Sequence, residues 1–323
     1  MNSQGGPPLP PSGELINVPE FEAAARAVLP TGVFATLAGG NRAPFERMTF
    51  RQKLMVDGTG IDLSTELFGE RMFAPTIIGP VSAQNAYHAQ GELETARGAA
   101  AAKTIMVVSS RSSRSVEAIA AETDAALWFQ VYSDEGLAAR SAIHRAVGAG
   151  VKAVCITVND PSASDRRAFG PPRVDWDAVN RIADGAGVPV IVKGVLAPED
   201  AERATRHGMQ GIVVSDHGAG APGRVAGAPI DVLPDIAAAA GDRLAVLIDG
   251  GFRRGTDILK ALALGARAVL LARPIMWGLA AYGAAGVAAV LFLLHNELAR
   301  SMVAAGRPAV ALIDRALVRI HTR

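Results

Sequence analysis

The sequence predicts an α/β fold, a (β/α)8 TIM barrel with an N-terminal helical cap, on three observations. Eight short Val- and Ile-rich runs recur along the chain, helix-forming segments separate them, and polar residues collect where the runs end. The runs are APTIIGPV (74–81), TIMVVS (104–109), LWFQVY (127–132), AVCITV (153–158), PVIVKG (189–194), GIVVSD (211–216), LAVLIDG (244–250) and AVLLARP (268–274). Each is nearly continuous in apolar residues, the pattern of parallel strands covered on both faces. Between them, GELETARGAAAA, GLAARSAIHRAVGAG, APEDAERATRHG and GTDILKALALGA have helical composition and often end at glycine. Eight β-α units in succession indicate a closed barrel, with an open doubly wound sheet as the alternative.

The flanks follow from the same reading. Residues 1–13, MNSQGGPPLPPSG, have neither the basic start nor the apolar core of a signal peptide and read as a disordered tail or docking arm, so a cytoplasmic location is expected. Residues 14–323 are expected to form one domain. Within it, 14–73 make the cap (FEAAARAVLP as a helix, then loop and a small hairpin), 74–280 supply the barrel, and 281–323 supply C-terminal helices. The segment WGLAAYGAAGVAAVLFLL (277–294) approaches the length of a membrane span, but it is rich in Ala and Gly and stands alone, which favours a buried helix. The connection 159–185 opens with turn residues and two arginines and is expected to serve as a lid.

Composition narrows the function classes. Lys and Arg number 32 against 31 Asp and Glu, which removes the electrostatic case for a nucleic-acid or anionic-membrane partner. The single Cys155 lies inside AVCITV, so it forms no internal disulfide and reads as a small buried filler. His88, His144, His207, His295 and His321 show no ligand spacing, and no metal site is expected.

Barrels of this type place their chemistry at the carboxyl ends of the strands. There the chain has Ser82, Ser109, Ser110, Gln130, Tyr132, Thr157, Asn159, Lys193, Ser215, Asp216, His217, Asp249 and Arg273. In IDGGFRRGTDILK the chain turns on Gly250 and Gly251 and enters a helix near Thr256. Backbone amides of that turn, with Arg253 and Arg273, predict an anion site of the kind that binds a phosphate-bearing ligand. Lys193, inside IVKGV, is a buried cation that needs an anion: a Schiff-base substrate, a phosphate, or an electron-rich ring that turns anionic on reduction. His217 ends an apolar run beside glycine, and imidazole is the side chain suited to acid–base work near neutrality.

Taken in order, FQVY, TV, VKGV, SDHG, DGGFRRGTDILKALALGA and ARP resemble the FMN-dependent α-hydroxy acid oxidase and dehydrogenase family, from INVPEFEAAARAVLP to about Val303. The resemblance implies an FMN lying across the carboxyl end of the barrel. The main chain around Pro80, Val81 and Ser82 would face the flavin, and Ser109, Gln130 and Thr157 would hydrogen-bond its ring. Lys193 would stand at the N1 and O2 edge, and Ser215 and Gly218 would permit close approach. Asp249, Gly251, Arg253, Ala272 and Arg273 would hold the ribityl chain and phosphate. His217 would be the general base, while Tyr132 and Arg167 (Arg166 in the neighbouring register) would bind the hydroxy-acid substrate. The family also implies O2 or another electron acceptor, and a homo-oligomer, commonly a tetramer.

The departures gather around the substrate. Where the family has SNHGGRQ this chain has SDHGAGA, so Gly220 replaces a carboxylate-binding arginine. Thr36 stands where a substrate tyrosine is usual, Arg111 where an aromatic is frequent, and Asn159 where an aspartate steadies the base. Asp216 or Asp160 on the base side, and Arg111 or Arg224 on the carboxylate side, are the candidate compensations. The alternative function is a flavin-binding barrel with lost or altered redox activity: a sensor, an assembly subunit, or an enzyme of a non-acid substrate.

Overall fold

The apolar runs assemble into a ring in the computed structural model of the chain, which describes residues 9–40, 42–53, 55–158, 175–218 and 228–321. The strands are β1 Thr76–Ile78, β2 Ile105–Ser109, β3 Leu127–Tyr132, β4 Ala153–Thr157, β5 Val190–Val195, β6 Gly211–Val214, β7 Ala245–Asp249 and β8 Ala268–Leu271. All neighbours are parallel, and β8 pairs with β1 in register Val269↔Thr76 to Leu271↔Ile78. The barrel is therefore closed, which rules out the open sheet. Alternation along each strand then divides the core. Ile77, Ile105, Val107, Trp128, Cys155, Ile191, Val213 and Leu247 fill the inside of the barrel, and Ile78, Met106, Val108, Val154 and Ile212 pack beneath the helices. Cys155 is a filler, as expected: burial pushes its thiol up to about 12, away from the reactive thiolate.

The cap acts at both ends of the barrel, which the sequence reading did not anticipate. Its first helix, Val18–Val28, starts at Asn17, whose Oδ1 accepts from the Glu20 amide at 3.1 Å, with Pro19 in the first turn. The hairpin is present, Thr65–Leu67 against Glu70–Met72. It plugs the amino end, because Leu67 and Met72 join the interior cluster and the Phe68 ring lies 5.7 Å from that of Trp128. The stretch from Thr36 to Gly40 reaches the opposite end, where Arg253 donates to the Gly39 carbonyl and Arg273 to that of Ala38.

Two boundaries differ from expectation. Residues 281–323 are not all helical: one helix, Arg273–Ala304, bends at Gly283 (φ 59°, ψ −140°) and is followed by short 3-10 turns. Strand Val318–Ile320 follows, antiparallel to Met48–Phe50 of the cap. Gly283 breaks the ladder because its positive φ is a conformation that glycine adopts freely. The helix is apolar and long enough to cross a membrane, yet half of its most apolar window is buried in the protein, with Trp277, Val287, Leu291 and Leu294 fully covered. The second half of the 159–185 connection is a barrel helix, Trp176–Ala183, capped by the Asp175 carboxylate on the Ala178 amide at 2.7 Å. Residues 159–174, where the arginines of the expected lid fall, lie outside the described residues.

Candidate active site

A cavity of about 850 Å³ opens at the carboxyl end of the barrel. It lies within the range of small-molecule and cofactor sites, roughly 300–1,000 Å³. Strand ends bring Gln130 and Tyr132 from β3, Thr157 from β4 and Lys193 from β5 to its wall. The turns after β6, β7 and β8 add His217 and Gly218, then Asp249 to Arg253, then Ala272 and Arg273, and the cap contributes Thr36.

Its floor is polar and buried. The Lys193 ammonium lies 2.9 Å from Asp249 Oδ2 and donates to Ser215 Oγ at 2.7 Å. Burial pulls the lysine pKa down, but the charge of Asp249 and the hydrogen bond to it outweigh burial and hold it above the ordinary lysine value. Gln130 Nε2 donates to Thr157 Oγ1 at 2.5 Å. Two buried acceptors in this floor, Gln130 Oε1 and Asp249 Oδ1, have no hydrogen-bond partner among the described residues. Buried acceptors are rarely left so, and these call for a ligand that carries donors.

One side of the cavity is built for an anion. Arg253 and Arg273 bracket Gly40, whose β-carbon, if present, would meet Arg253 Nη2 at 3.1 Å and Arg273 Nη1 at 3.4 Å. Arg253 stacks over Trp277 at 4.5 Å, and burial, with the neighbouring Arg273 charge, pushes its pKa down to about 10. Arg42 reinforces the loop from the cap, donating to the Gly251 carbonyl at 3.1 Å and to Asp257 Oδ2 at 3.0 Å. Two guanidiniums facing one glycine turn are repulsive by themselves and favourable around a phosphate.

His217 is held in an unusual backbone conformation, φ 58°, with its amide donating to Ser215 Oγ at 3.1 Å. A left-handed residue other than glycine stores strain, and such residues cluster at functional sites. The imidazole lies over Gly194 (φ 115°): a β-carbon there would come within 2.7 Å of His217 Nε2 and 2.5 Å of the Val158 carbonyl. Opposite, Tyr132 OH is 3.4 Å from Ser82 Oγ, which is 3.3 Å from Ser109 Oγ.

The FMN-dependent dehydrogenase family profile matches residues 34–170 and 162–320. The L-lactate oxidase of a Nostoc species is 36% identical over 360 residues, covering 94% of this chain and 98% of that one. Glycolate oxidase of Spinacia oleracea is 36% identical over 352 residues, covering 94% and 95%. A crystal structure of mandelate oxidase with (S)-2-phenylpropionate superposes with a TM-score of 0.87 at 36% identity, covering 96% of this chain and all of that one. The chain belongs to the FMN-dependent α-hydroxy acid oxidase family.

For a member of this family, most of the expected residues converge. Pro80, Gln130, Tyr132, Thr157, Lys193, His217, Gly218, Asp249, Gly251, Arg253, Ala272 and Arg273 line the cavity. Ser82 and Ser215 stand one hydrogen bond behind it, Ser109 one step further back through Ser82, and the Val81 carbonyl accepts from Gln84 Nε2 at 3.3 Å. Gly218 is approached in this structure by the Arg273 guanidinium, 3.1 Å from where its β-carbon would be. Arg167, Arg166, Asn159, Asp160, Gly220 and Arg224 lie outside the described residues. Among the departures, Asp216 accepts from the Gly218 amide at 2.9 Å, and Thr36 Oγ1 is 3.3 Å from Tyr87 OH. Sequence reading missed Arg42, Asp257 and Glu135. The signal available for Glu135 was its position three residues after Tyr132, where a carboxylate closes a turn onto the first residue's amide.

Proposed function

We propose that the chain is an FMN-dependent oxidoreductase that converts a 2-hydroxy acid, or a related hydroxy compound, to its 2-oxo product. The observation that carries this reading is that one cavity brings His217, the Lys193–Asp249 pair and the Arg253–Arg273 pair together with two buried acceptors that have no hydrogen-bond partner among the described residues. The residues fit FMN by chemistry. Arg253, Arg273 and the Gly250–Gly251 turn suit its phosphate, Asp249 Oδ1 suits a ribityl hydroxyl, and Gln130 with Thr157 suits the donor and acceptor edge of its ring.

FMN, when bound, supplies the two-electron acceptor that the side chains lack. Lys193 keeps a positive charge where electron density accumulates, and Asp249 keeps the lysine charged. His217 accepts the proton that the hydroxy compound gives up as its carbinol carbon is oxidised, and the close wall at Gly194 fixes its ring. Tyr132 directs its hydroxyl toward the bound substrate, and Arg167 is assigned its carboxylate through the family resemblance. O2 or another oxidant would be the final electron acceptor.

The test is an absorbance spectrum of the purified protein followed by anaerobic titration with lactate, glycolate, mandelate and longer 2-hydroxy acids. Bleaching of an oxidised flavin band by one of them is expected, as is loss of turnover with flavin retained in His217→Ala. An oxidised flavin that persists across the whole panel would overturn the reading.

A further inference from the structure

Arg111 does not behave as a spare cation. Its guanidinium carbon lies 3.5 Å from the centroid of the Tyr132 ring. Nε donates to Glu135 Oε1 at 3.3 Å and Nη2 faces Asp134 Oδ1 at 3.5 Å, so two carboxylates already balance its charge. Glu135 ties the same unit together, because it also accepts from the Tyr132 amide at 3.3 Å and from Ser110 Oγ at 3.1 Å. At the other end of the ring, Tyr132 OH meets Ser82 Oγ, and Ser82 reaches Ser109 Oγ, which accepts the Arg111 amide at 3.2 Å. Ring face, ring hydroxyl and backbone are thus all linked, directly or through Ser82 and Glu135, to Ser109–Arg111 at the end of β2.

We infer that Arg111 is a positioning residue: the planar guanidinium, locked by Glu135 and Asp134, fixes the Tyr132 ring and so sets where its hydroxyl meets the substrate. Arg111 then acts through Tyr132 and makes no substrate contact of its own. The inference rests on Tyr132 facing the substrate in the proposed reaction. It also explains how an arginine occupies a position where an aromatic is frequent, since its plane presents a flat surface to a neighbouring ring.

A double-mutant cycle tests it. Arg111→Met is expected to lower kcat/KM by about three- to tenfold in the wild-type background, the scale of a lost cation–π contact plus misorientation. In a Tyr132→Phe background the same change is expected to cost less than about twofold, because the group through which it acts is gone. The chain has three tyrosines, so 3-fluorotyrosine labelling gives three fluorine resonances, with that of Tyr132 assigned by its absence in Tyr132→Phe. Arg111→Met and Glu135→Gln are each expected to move that resonance and leave those of Tyr87 and Tyr282 in place. An equal loss of kcat/KM in both backgrounds, or an unmoved Tyr132 resonance, would overturn the inference. If no hydroxy acid is turned over, the proposed function fails while the fluorine spectrum still decides whether Arg111 clamps the ring.

Discussion

Lys193 and Asp249 form a buried ion pair, 2.9 Å from nitrogen to oxygen, at the floor of the cavity. Asp249→Asn removes the charge that holds Lys193 above the ordinary lysine value and leaves a buried ammonium facing a neutral amide. Breaking such a pair from one side costs about 3–5 kcal/mol, whereas removing both charges costs far less. Asp249→Asn should therefore lower the urea midpoint strongly, and Lys193→Met combined with Asp249→Asn should recover most of the loss. Urea denaturation of both variants checks this; equal midpoints for the single and double variants would show that the pair is not the origin of the effect.

Gly194 sets the position of His217 by what it lacks. Its φ of 115° is costly for any other residue, and an added β-carbon would overlap both the Val158 carbonyl and His217 Nε2. Gly194→Ala should destabilise the fold by about 1–3 kcal/mol through backbone strain and, in the folded fraction, depress turnover more than flavin content. Circular dichroism melts, with the flavin-to-protein absorbance ratio and activity measured on the same sample, separate the two effects. Normal turnover in a destabilised variant would mean that His217 does not depend on this wall.

How far the sequence could be read depended on whether a feature is local. The eight strands were legible because parallel strands buried on both faces leave continuous apolar runs, as AVCITV and GIVVSD do. The cavity residues were legible because a barrel puts strand ends in one place, so Lys193 and Asp249, 56 residues apart, had to converge once the fold was closed. What could not be read was contact made by long-range packing. Arg42 reaches the Gly251 carbonyl across more than two hundred residues, and nothing in GGNRAPF announces that partner. A small hairpin within the cap was expected, but its place at 65–72 and the end of the barrel it plugs depended on long-range packing such as Phe68 meeting Trp128. The partners of Arg111 were out of reach for the same reason: a lone arginine in the sequence carries no mark of the Glu135 and Asp134 that it meets.

Arg273 offers a cleaner probe of the anion site than Arg253. Arg253 is buried, donates to the Phe252 and Gly39 carbonyls and stacks on Trp277, so its removal would disturb folding as well as binding. Arg273 has one hydrogen bond to protein in this structure among the described residues, to the Ala38 carbonyl at 3.3 Å. Arg273→Gln should leave the melting temperature of the cofactor-free protein within a few degrees. It should weaken FMN binding by about ten- to a hundredfold, the value of a charge-assisted hydrogen bond. Quenching of flavin fluorescence on titration measures the affinity, and riboflavin, which lacks the phosphate, should bind wild type and variant alike.

A buried histidine at the other end of the barrel ties stability to pH. His295, on the long C-terminal helix, is buried at the amino end of the barrel, where Nε2 is 2.7 Å from Thr76 Oγ1 of β1. Burial pushes its pKa down to about 4, so the folded protein holds a neutral imidazole. An unfolded chain protonates the same ring near the ordinary histidine value of about 6.5. The unfolded state therefore binds more protons between these two values, and stability falls as pH is lowered through that window, with nothing lost above it. The linkage is worth on the order of 3 kcal/mol across the full interval. Urea midpoints at pH 7.5 and pH 5 should differ more for wild type than for His295→Gln, whose amide keeps a partner for Thr76 without a titrating group. Equal differences would place the acid sensitivity elsewhere in the protein.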